Sequence, residues 1–485
     1  MSERFDVLIR GASVIDGTGA PRFTADVGIR GERIAQIGAL AGSRGETEID
    51  ASGLVAAPGF IDAHTHDDRL LLSSPDMACK VSQGVTTVVA GNCGISLAPC
   101  PHGMHSPITP PLDLLDDEGG WFRFPSFQAY VEELRAHPPA TNCALLVGHT
   151  ALRVATMDDF ERPATPAERV RIRELVREAL AAGAIGASTG LYYEPASAAP
   201  EEEVVEVLAP LREFGGIYCT HMRNEGDRVM ESLEESFRSA RTLGVPVVIS
   251  HHKVNGVANH GRSPQTLARI AQHMREQPIG LDCYPYNAAS TILSANRSDA
   301  AVRTLVTWSK PCPQFAGMDV DDIARQLGVS RENAIARLLP AGAIYFSMAE
   351  EDVQRILAFE PTMVGSDGLP HDAFPHPRLW ATFPRVLGHY CRELGLFPLE
   401  RAVHKMTGLT ARTFGLHDRG ELRPGAYADV TLFDAQSIAE GATFARPIAP
   451  APGIHTVLVN GAAVWQGGAA TGARPGRVLS RSAEK

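Results

Sequence analysis

The stretch 59-GFIDAHTH-66 decides the fold. A short apolar run, Phe60 and Ile61, is followed at its C-terminal end by two histidines, His64 and His66. The same grammar recurs along the chain: VTTVVAGN runs into Cys93, GIYCT into His221, VPVVIS into His251 and TMVGS into Asp367. Each time a β-like run hands over to a residue with metal-ligating or acid–base chemistry, just where a loop or helix begins. The C-terminal ends of successive parallel strands are where a (β/α)8 barrel carries its chemistry.

Working outward, strand-like runs alternate with helical ones through the centre. NCALLVGH, AIGASTGLYY and GLDCYPY supply the remaining strands, and stretches such as PAERVRIRELVREALAAG (166–183) the helices. Eight strands in this alternation predict an α/β chain with a (β/α)8, TIM-like barrel over residues 59–415. His66 to Cys93 is 27 residues and His221 to His251 is 30, close to the roughly 31 residues of one barrel unit. These pairs therefore belong on adjacent strands. Two steps are too long. Cys93 to His149 spans 56 residues and contains the Pro-rich PCPHGMHSPITPPLD (99–113); Tyr284 to Asp367 spans 83. The second surplus, about residues 287–345, includes the helical stretch MDVDDIARQLGVSRENAIARLL (318–339). An insertion after the seventh strand hangs over the catalytic face, where it acts as a lid or only decorates the surface.

Residues 1–58 and 416–485 show period-two alternation between Gly-rich turns, which predicts a small β-sandwich built from both ends of the chain. Composition excludes other classes. Hydrophobic residues make up 44% and charged residues 21%, ordinary globular usage rather than that of a disordered chain. The net charge of -11 and the absence of a basic stripe argue against a nucleic-acid partner. No run reaches membrane-spanning length, and MSERFDVLIRGASVIDG lacks the apolar core of a secretory signal. The eight cysteines are scattered without a CxxC pair, so a reducing, cytoplasmic setting is expected.

HxH alone is a weak motif in a chain with 17 histidines. Its context is stronger, because residues two apart in a strand share a face. His221 and His251 add nitrogen ligands from neighbouring strands. Cys93 is either a buried structural thiol or a ligand; the flanking glycines of GNCG favour a ligand, since they let the backbone approach an ion. A Cys/His/His set leaves one position open, as catalytic zinc requires, and is too soft for magnesium or calcium. Asp367 is placed to take a proton from an activated water, with a helix N-cap as the alternative.

These motifs resemble the amidohydrolase superfamily. GFIDAHTH, the histidines on strands five and six, the Asp on strand eight and the closing GELRPGAYADVTLFD and VNG segments carry the resemblance. VVAGNCGIS, CTHMRNEG, SHHK, DCYPYNA and SDG…HPR narrow it to the D-aminoacylase (N-acyl-D-amino-acid deacylase) branch. The resemblance implies hydrolysis of the amide of a small-molecule N-acyl-D-amino acid. It implies one tightly held zinc on Cys93, His221 and His251, with His64, His66 and Asp367 as a second, weaker site. Many amidohydrolases bridge two metals with a carboxylated lysine on strand four. The five lysines here (Lys80, Lys253, Lys310, Lys405, Lys485) all lie away from AIGASTGLYY, which excludes a carbamate from that strand; the resemblance implies that cysteine takes the bridging place. This counts against the alternative of a hydantoinase- or dihydroorotase-like enzyme for cyclic amides; a non-catalytic scaffold is the alternative outside enzymes.

The resemblance further implies that Lys253, Tyr284 and Arg378 hold the substrate carboxylate, with Tyr192 in support. Lys253 follows His251 by two residues, so it shares that side of the strand. Arg297, at the start of the insertion, is the candidate cation for an acidic side chain, which favours N-acyl-D-glutamate. Arg223 and Arg385 on nearby loops are its competitors.

Overall fold

The computed structural model describes residues 3–104 and 107–481; His105 and Ser106 of the Pro-rich stretch lie outside them. The centre is a mixed α/β barrel of eight parallel strands: Phe60–Asp62, Val85–Ala90, Asn142–Gly148, Gly186–Gly190, Ile217–His221, Val247–Ile249, Ile279–Cys283 and Thr362–Val364. Consecutive strands pair in parallel register from the first to the eighth. Closure between strands eight and one is looser. It rests on two backbone bonds, Ala63 N–H to Val364 O (3.2 Å) and Asp367 N–H to His64 O (2.9 Å).

The strands are apolar runs because both faces are covered. Ile61, Val89, Leu146, Ile217, Val248 and Met363 form one core, floored by Phe414 and Leu416. Their neighbours Val88, Leu145, Val147, Val247 and Leu281 pack outward against helices through Val131, Leu175, Val207 and Phe237. The helices are delimited by local chemistry. Thr165 opens Pro166–Ala181 with a reciprocal capping box to Glu168, and Gly244, at φ +69°, closes Val229–Leu243.

Both chain ends enter one continuous nine-stranded sheet. Val430–Phe433 pairs antiparallel with Val55–Pro58, the strand that leads directly into the barrel. The C-terminal segment then leaves this sheet, and Val478–Leu479 pairs with the third barrel strand.

Between the seventh barrel strand and the helix Glu350–Ala358, the chain builds a unit with its own core. Ala288–Ile292, Arg303–Ser309 and Ala341–Phe346 form a three-stranded antiparallel sheet. Val306, Phe315, Ile323, Ile335 and Leu338 fill the space beneath it. The helical stretch expected over 318–339 is broken into Val320–Leu327 and Arg331–Leu338. Gly328 takes a left-handed conformation at φ +65° and Ser330 caps the next helix through Asn333 N–H. The sheet went unread in the sequence because its strands lie far apart and pair only across the insertion.

Candidate active site

The C-terminal ends of seven barrel strands, all but the third, converge on one cavity of about 600 Å³, counting its opening to solvent. Cys93 Sγ stands 3.2 Å from His64 Nε2 and 3.2 Å from His251 Nε2. His251 Nε2 is in turn 3.0 Å from His221 Nδ1. Asp367 Oδ1 lies 3.2 Å from His66 Nε2 and 3.6 Å from His64 Nε2. All six residues are buried.

The backbone that achieves this is not regular strand. The first strand ends at Asp62 and the sixth at Ile249, short of the histidines they deliver. The Thr65 N–H bonds to Val89 O (3.0 Å), so the turn after strand one is held by strand two. The two-residue alternation expected to align His64 with His66, and His251 with Lys253, is therefore replaced by tight turns. Cys93, His251 and Asp367 hold φ values of +55°, +38° and +50°, the left-handed region that L-residues enter at a cost of roughly 1–2 kcal/mol each. Hydrogen bonds across the barrel brace these turns: Asp282 Oδ2 accepts the His251 N–H (3.0 Å), His64 O accepts the Asp367 N–H (2.9 Å), and Asp68 Oδ2 accepts the Gly91 N–H (3.0 Å) two residues before Cys93. Gly91 and Gly94 serve these turns too. A Cβ on either would collide with the third barrel strand or the residues just beyond it, at Leu146 O or Thr150 Oγ1. Close packing is thus one demand that holds both positions to glycine.

Burial holds His221 and His251 well below the ordinary imidazole range, so both are neutral with lone pairs to offer. Burial likewise pushes the Cys93 thiol up, so a thiolate here needs a cation beside it. For Asp367, burial raises the carboxyl, but the Arg378 guanidinium and the His66 hydrogen bond outweigh it and hold the group ionised, well below the usual carboxylate range. This donor set fits zinc. Convergent soft ligands lie within hydrogen-bond distance of one another, and His221 Nε2, His64 Nδ1 and His66 Nδ1 are buried without hydrogen-bond partners. Among the described residues, three groups have ligand atoms close enough to share an ion: His64/Cys93/His251, His64/His66/Asp367 and His221/Glu225/His251. Cys93 and His221 meet through His251, and His64 joins both the cysteine side and the aspartate side.

Lys253 lines the cavity, with Nζ 2.7 Å from Glu225 Oε1 and 2.8 Å from His251 Nδ1. Tyr284 also lines it; its hydroxyl is buried without a partner, and burial keeps it protonated. Arg378 lies deeper, fully buried, under the Tyr284 ring at 4.5 Å. One of its nitrogens is committed to Asp367 Oδ2 (3.0 Å) and to Ser290 O (3.2 Å). Tyr192 stacks on His221 at 5.4 Å and accepts a hydrogen bond from Arg297 Nε (2.9 Å). Arg297 faces the cavity; its guanidinium donates to Tyr192 and Ile292 O and lies 5.9 Å from the Tyr193 ring, with no carboxylate at ion-pair distance among the described residues. Its two competitors are engaged elsewhere, Arg223 with Glu235 and Arg385 with Glu440. Sequence reasoning passed over Glu225 and Asp282, although both sit inside quoted motifs, CTHMRNEG and DCYPYNA. Glu225 stands four residues after His221, a spacing that offered a signal.

A model of the amidohydrolase family matches residues 47–284 and 331–465. The chain belongs to the amidohydrolase family. Within it the chain stands in the D-aminoacylase branch. It is 57% identical over 99% of both chains to a D-aminoacylase of Alcaligenes xylosoxydans xylosoxydans. It is 51% and 46% identical to the N-acyl-D-aspartate and N-acyl-D-glutamate deacylases of the same organism, covering 98% and 100% of this chain and 95% and 98% of those. A crystal structure of D-aminoacylase superposes with a TM-score of 0.95 at 56% identity, covering 98% of this chain and all of that one. An N-acyl-D-glutamate deacylase of Bordetella bronchiseptica, solved with zinc and a phosphonate inhibitor, gives 0.94 at 45% over 98% and 100%. A D-hydantoinase shares the fold alone, at 14% identity and a TM-score of 0.60. The fourth barrel strand, Gly186–Gly190, carries no lysine. The chain is a hydrolytic enzyme of this family, and a metal belongs to its site. No described helix is long and apolar enough to cross a membrane.

Proposed function

We propose that this enzyme hydrolyses the amide bond of N-acyl-D-amino acids, releasing a carboxylic acid and a free D-amino acid. The observation that carries the reading is Asp367. It is an ionised carboxylate clamped by Arg378 and His66 on one side of a cavity whose other walls offer Cys93, His221 and His251. Full-length likeness to enzymes named for this activity supports it.

Cys93, His221 and His251 would hold the tighter zinc, with His64, His66 and Asp367 around a weaker site. When bound, the metal supplies Lewis-acid polarisation of the acyl carbonyl and acidifies a water. Asp367 accepts the proton of the attacking water and returns it to the departing amine. Arg378 keeps that carboxylate ionised and aimed. The Tyr284 hydroxyl, free of a protein partner, donates to the substrate carboxylate, and the Lys253 ammonium supplies charge beside it. The insertion walls the cavity through Ser290, Thr291, Arg297 and Tyr345 and acts as a lid that excludes water.

A turnover screen of N-acetyl and N-formyl D- and L-amino acids, with zinc measured on the same sample, tests the reading. Hydrolysis confined to D-substrates is expected. Turnover of hydantoins with none of N-acyl-D-amino acids would overturn it.

Arg297 supports a finer assignment, an acidic side chain with N-acyl-D-glutamate foremost. Identity to the relatives does not order the substrates, since the highest value belongs to the one named for no side chain. The Arg297 guanidinium stands in the cavity without a carboxylate partner among the described residues. Arg297→Ala should lower the glutamate-over-leucine ratio of kcat/KM by tenfold or more, the value of a lost charge-assisted pair of about 1.5–3 kcal/mol. An unchanged ratio removes the assignment.

A further inference from the structure

We propose that Lys80 is a positioning residue: it ties the ends of the first and eighth barrel strands together and so sets where Asp367 stands relative to His64 and His66. The inference rests on the reading of Asp367 as the proton acceptor.

Lys80 sits on the one-turn helix Ala78–Val81 with its side chain fully buried. A buried ammonium is tolerated only when its hydrogens are used and its charge is met. Here Nζ donates to Asp62 Oδ2 (2.9 Å) and to Ser366 Oγ (2.9 Å), and lies 3.2 Å from Asp67 Oδ2. The other oxygen of Asp62 accepts the Ser366 N–H (2.7 Å) and the His64 N–H (3.3 Å). One carboxylate, held by one lysine, therefore grips the main chain at both His64 and Ser366.

The position of this clasp gives it meaning. Strands eight and one are the neighbours without a regular ladder, joined by only two backbone bonds. Asp367 follows at once, in a left-handed conformation that its surroundings must enforce. Ser366 Oγ also accepts the Gly368 N–H (3.3 Å), so the lysine-bound hydroxyl braces Asp367 from its far side. A Cβ at Gly365 would collide with His64 Cβ. The two chains thus lie in contact, and any slip of one moves the other. The 3.2 Å contact between Asp367 and His66 depends on that registration. A role limited to neutralising Asp62 and Asp67 would stabilise the fold without governing the site.

The test compares Lys80→Met and Ser366→Ala with Lys405→Met in the zinc-loaded full-length enzyme. Lys405 is a second buried lysine, on the helix Leu399–Met406; at the opposite end of the eighth strand its Nζ donates to Phe359 O, Glu360 O and Thr362 O. Melting temperature, kcat, KM and amide hydrogen exchange are measured for each. Expected for Lys80→Met is a tenfold or greater loss of kcat with KM within twofold. Faster exchange should be confined to residues 60–66 and 362–369. Ser366→Ala should show about a threefold kcat loss and the same local exchange. Lys405→Met should melt lower yet keep its kcat. A Lys80→Met enzyme with wild-type kcat well below its melting temperature, or exchange raised uniformly, overturns the proposal. If Lys80→Met fails to fold, Ser366→Ala decides alone: unchanged kcat and exchange sink the idea. Exchange is read without substrate, and wild-type turnover is measured in parallel, so failure of the deacylase reading shows as an inactive wild type.

Discussion

Asp367 shows how a residue's surroundings set its chemistry. An isolated buried carboxyl keeps its proton, because charge without solvent is costly. Arg378 at 3.0 Å and His66 at 3.2 Å reverse that outcome and hold the base ionised. Asp367→Asn keeps the shape and removes the proton acceptor. It should lower kcat by about 10²–10⁴-fold, the usual range for a lost acid–base group, with KM little changed; a steady-state comparison at matched zinc content checks this. Cys93 makes a second prediction at the same scale. Its thiol is pushed up by burial, so in the holoenzyme the thiolate exists only against a cation. Cys93→Ala should therefore purify with less than half the wild-type zinc and with matching loss of activity, read by elemental analysis. Full zinc occupancy in that variant would show that His64, His221 and His251 hold the metal without the sulfur.

At the scale of elements, the insertion is a folded unit with its own core rather than a loose loop. Its two helices are separated by local chemistry at Gly328 and Ser330. Ser330 Oγ accepts the Asn333 N–H at 3.3 Å, and Gly328 occupies a left-handed position that alanine resists. Ser330→Ala and Gly328→Ala should each destabilise this unit by about 1 kcal/mol. Because Arg297, Thr291 and Tyr345 reach the cavity from it, the double variant should raise KM two- to fivefold while kcat holds. Michaelis–Menten kinetics together with proteolysis of the insertion test this. A fall in kcat with KM unchanged would argue that the unit contributes to the chemistry rather than to binding.

At the scale of the whole molecule, stability carries a pH dependence from carboxyls outside the reaction centre. Asp372 and Asp113 face a cleft between the Pro-rich connection and the insertion. Burial raises each to about 7. Between roughly pH 4 and 7 the folded state then holds protons that the unfolded state has released, so stability falls as pH rises through this window and the penalty persists above it. Asp372→Asn removes one such ionisation. It should raise the melting temperature at pH 8 by about 2 °C, corresponding to about 2 kcal/mol, and do little at pH 4.5. Equal effects at both pH values would count against the assignment. The same scale explains the single sheet shared by the two chain ends. Val430–Phe433 lies on Val55–Pro58, so the C-terminal strands brace the entry into the first barrel strand and the His64 turn beyond it.

Much of this is legible in the amino-acid sequence. Apolar runs ending in His, Cys or Asp announced parallel strands and their functional ends, because a strand buried on both faces must be apolar while the site at its tip must be polar. Spacing near one barrel unit placed Cys93 beside the HxH strand and His251 beside His221. The lysine census removed the usual bridging group. Tertiary structure alone decided the rest. Glu225, Asp282 and Lys80 read as ordinary charged residues until folding brings Lys253, the His251 N–H and Asp62 to 2.7, 3.0 and 2.9 Å from them. Arg378 lies behind Asp367 rather than on the cavity wall, since packing and not sequence distance sets depth. The left-handed turns at His251 and Asp367 are held by hydrogen bonds from Asp282 and the His64 carbonyl. Local sequence determines which chemistry each strand end carries; long-range contacts determine where those groups meet and which charge they bear.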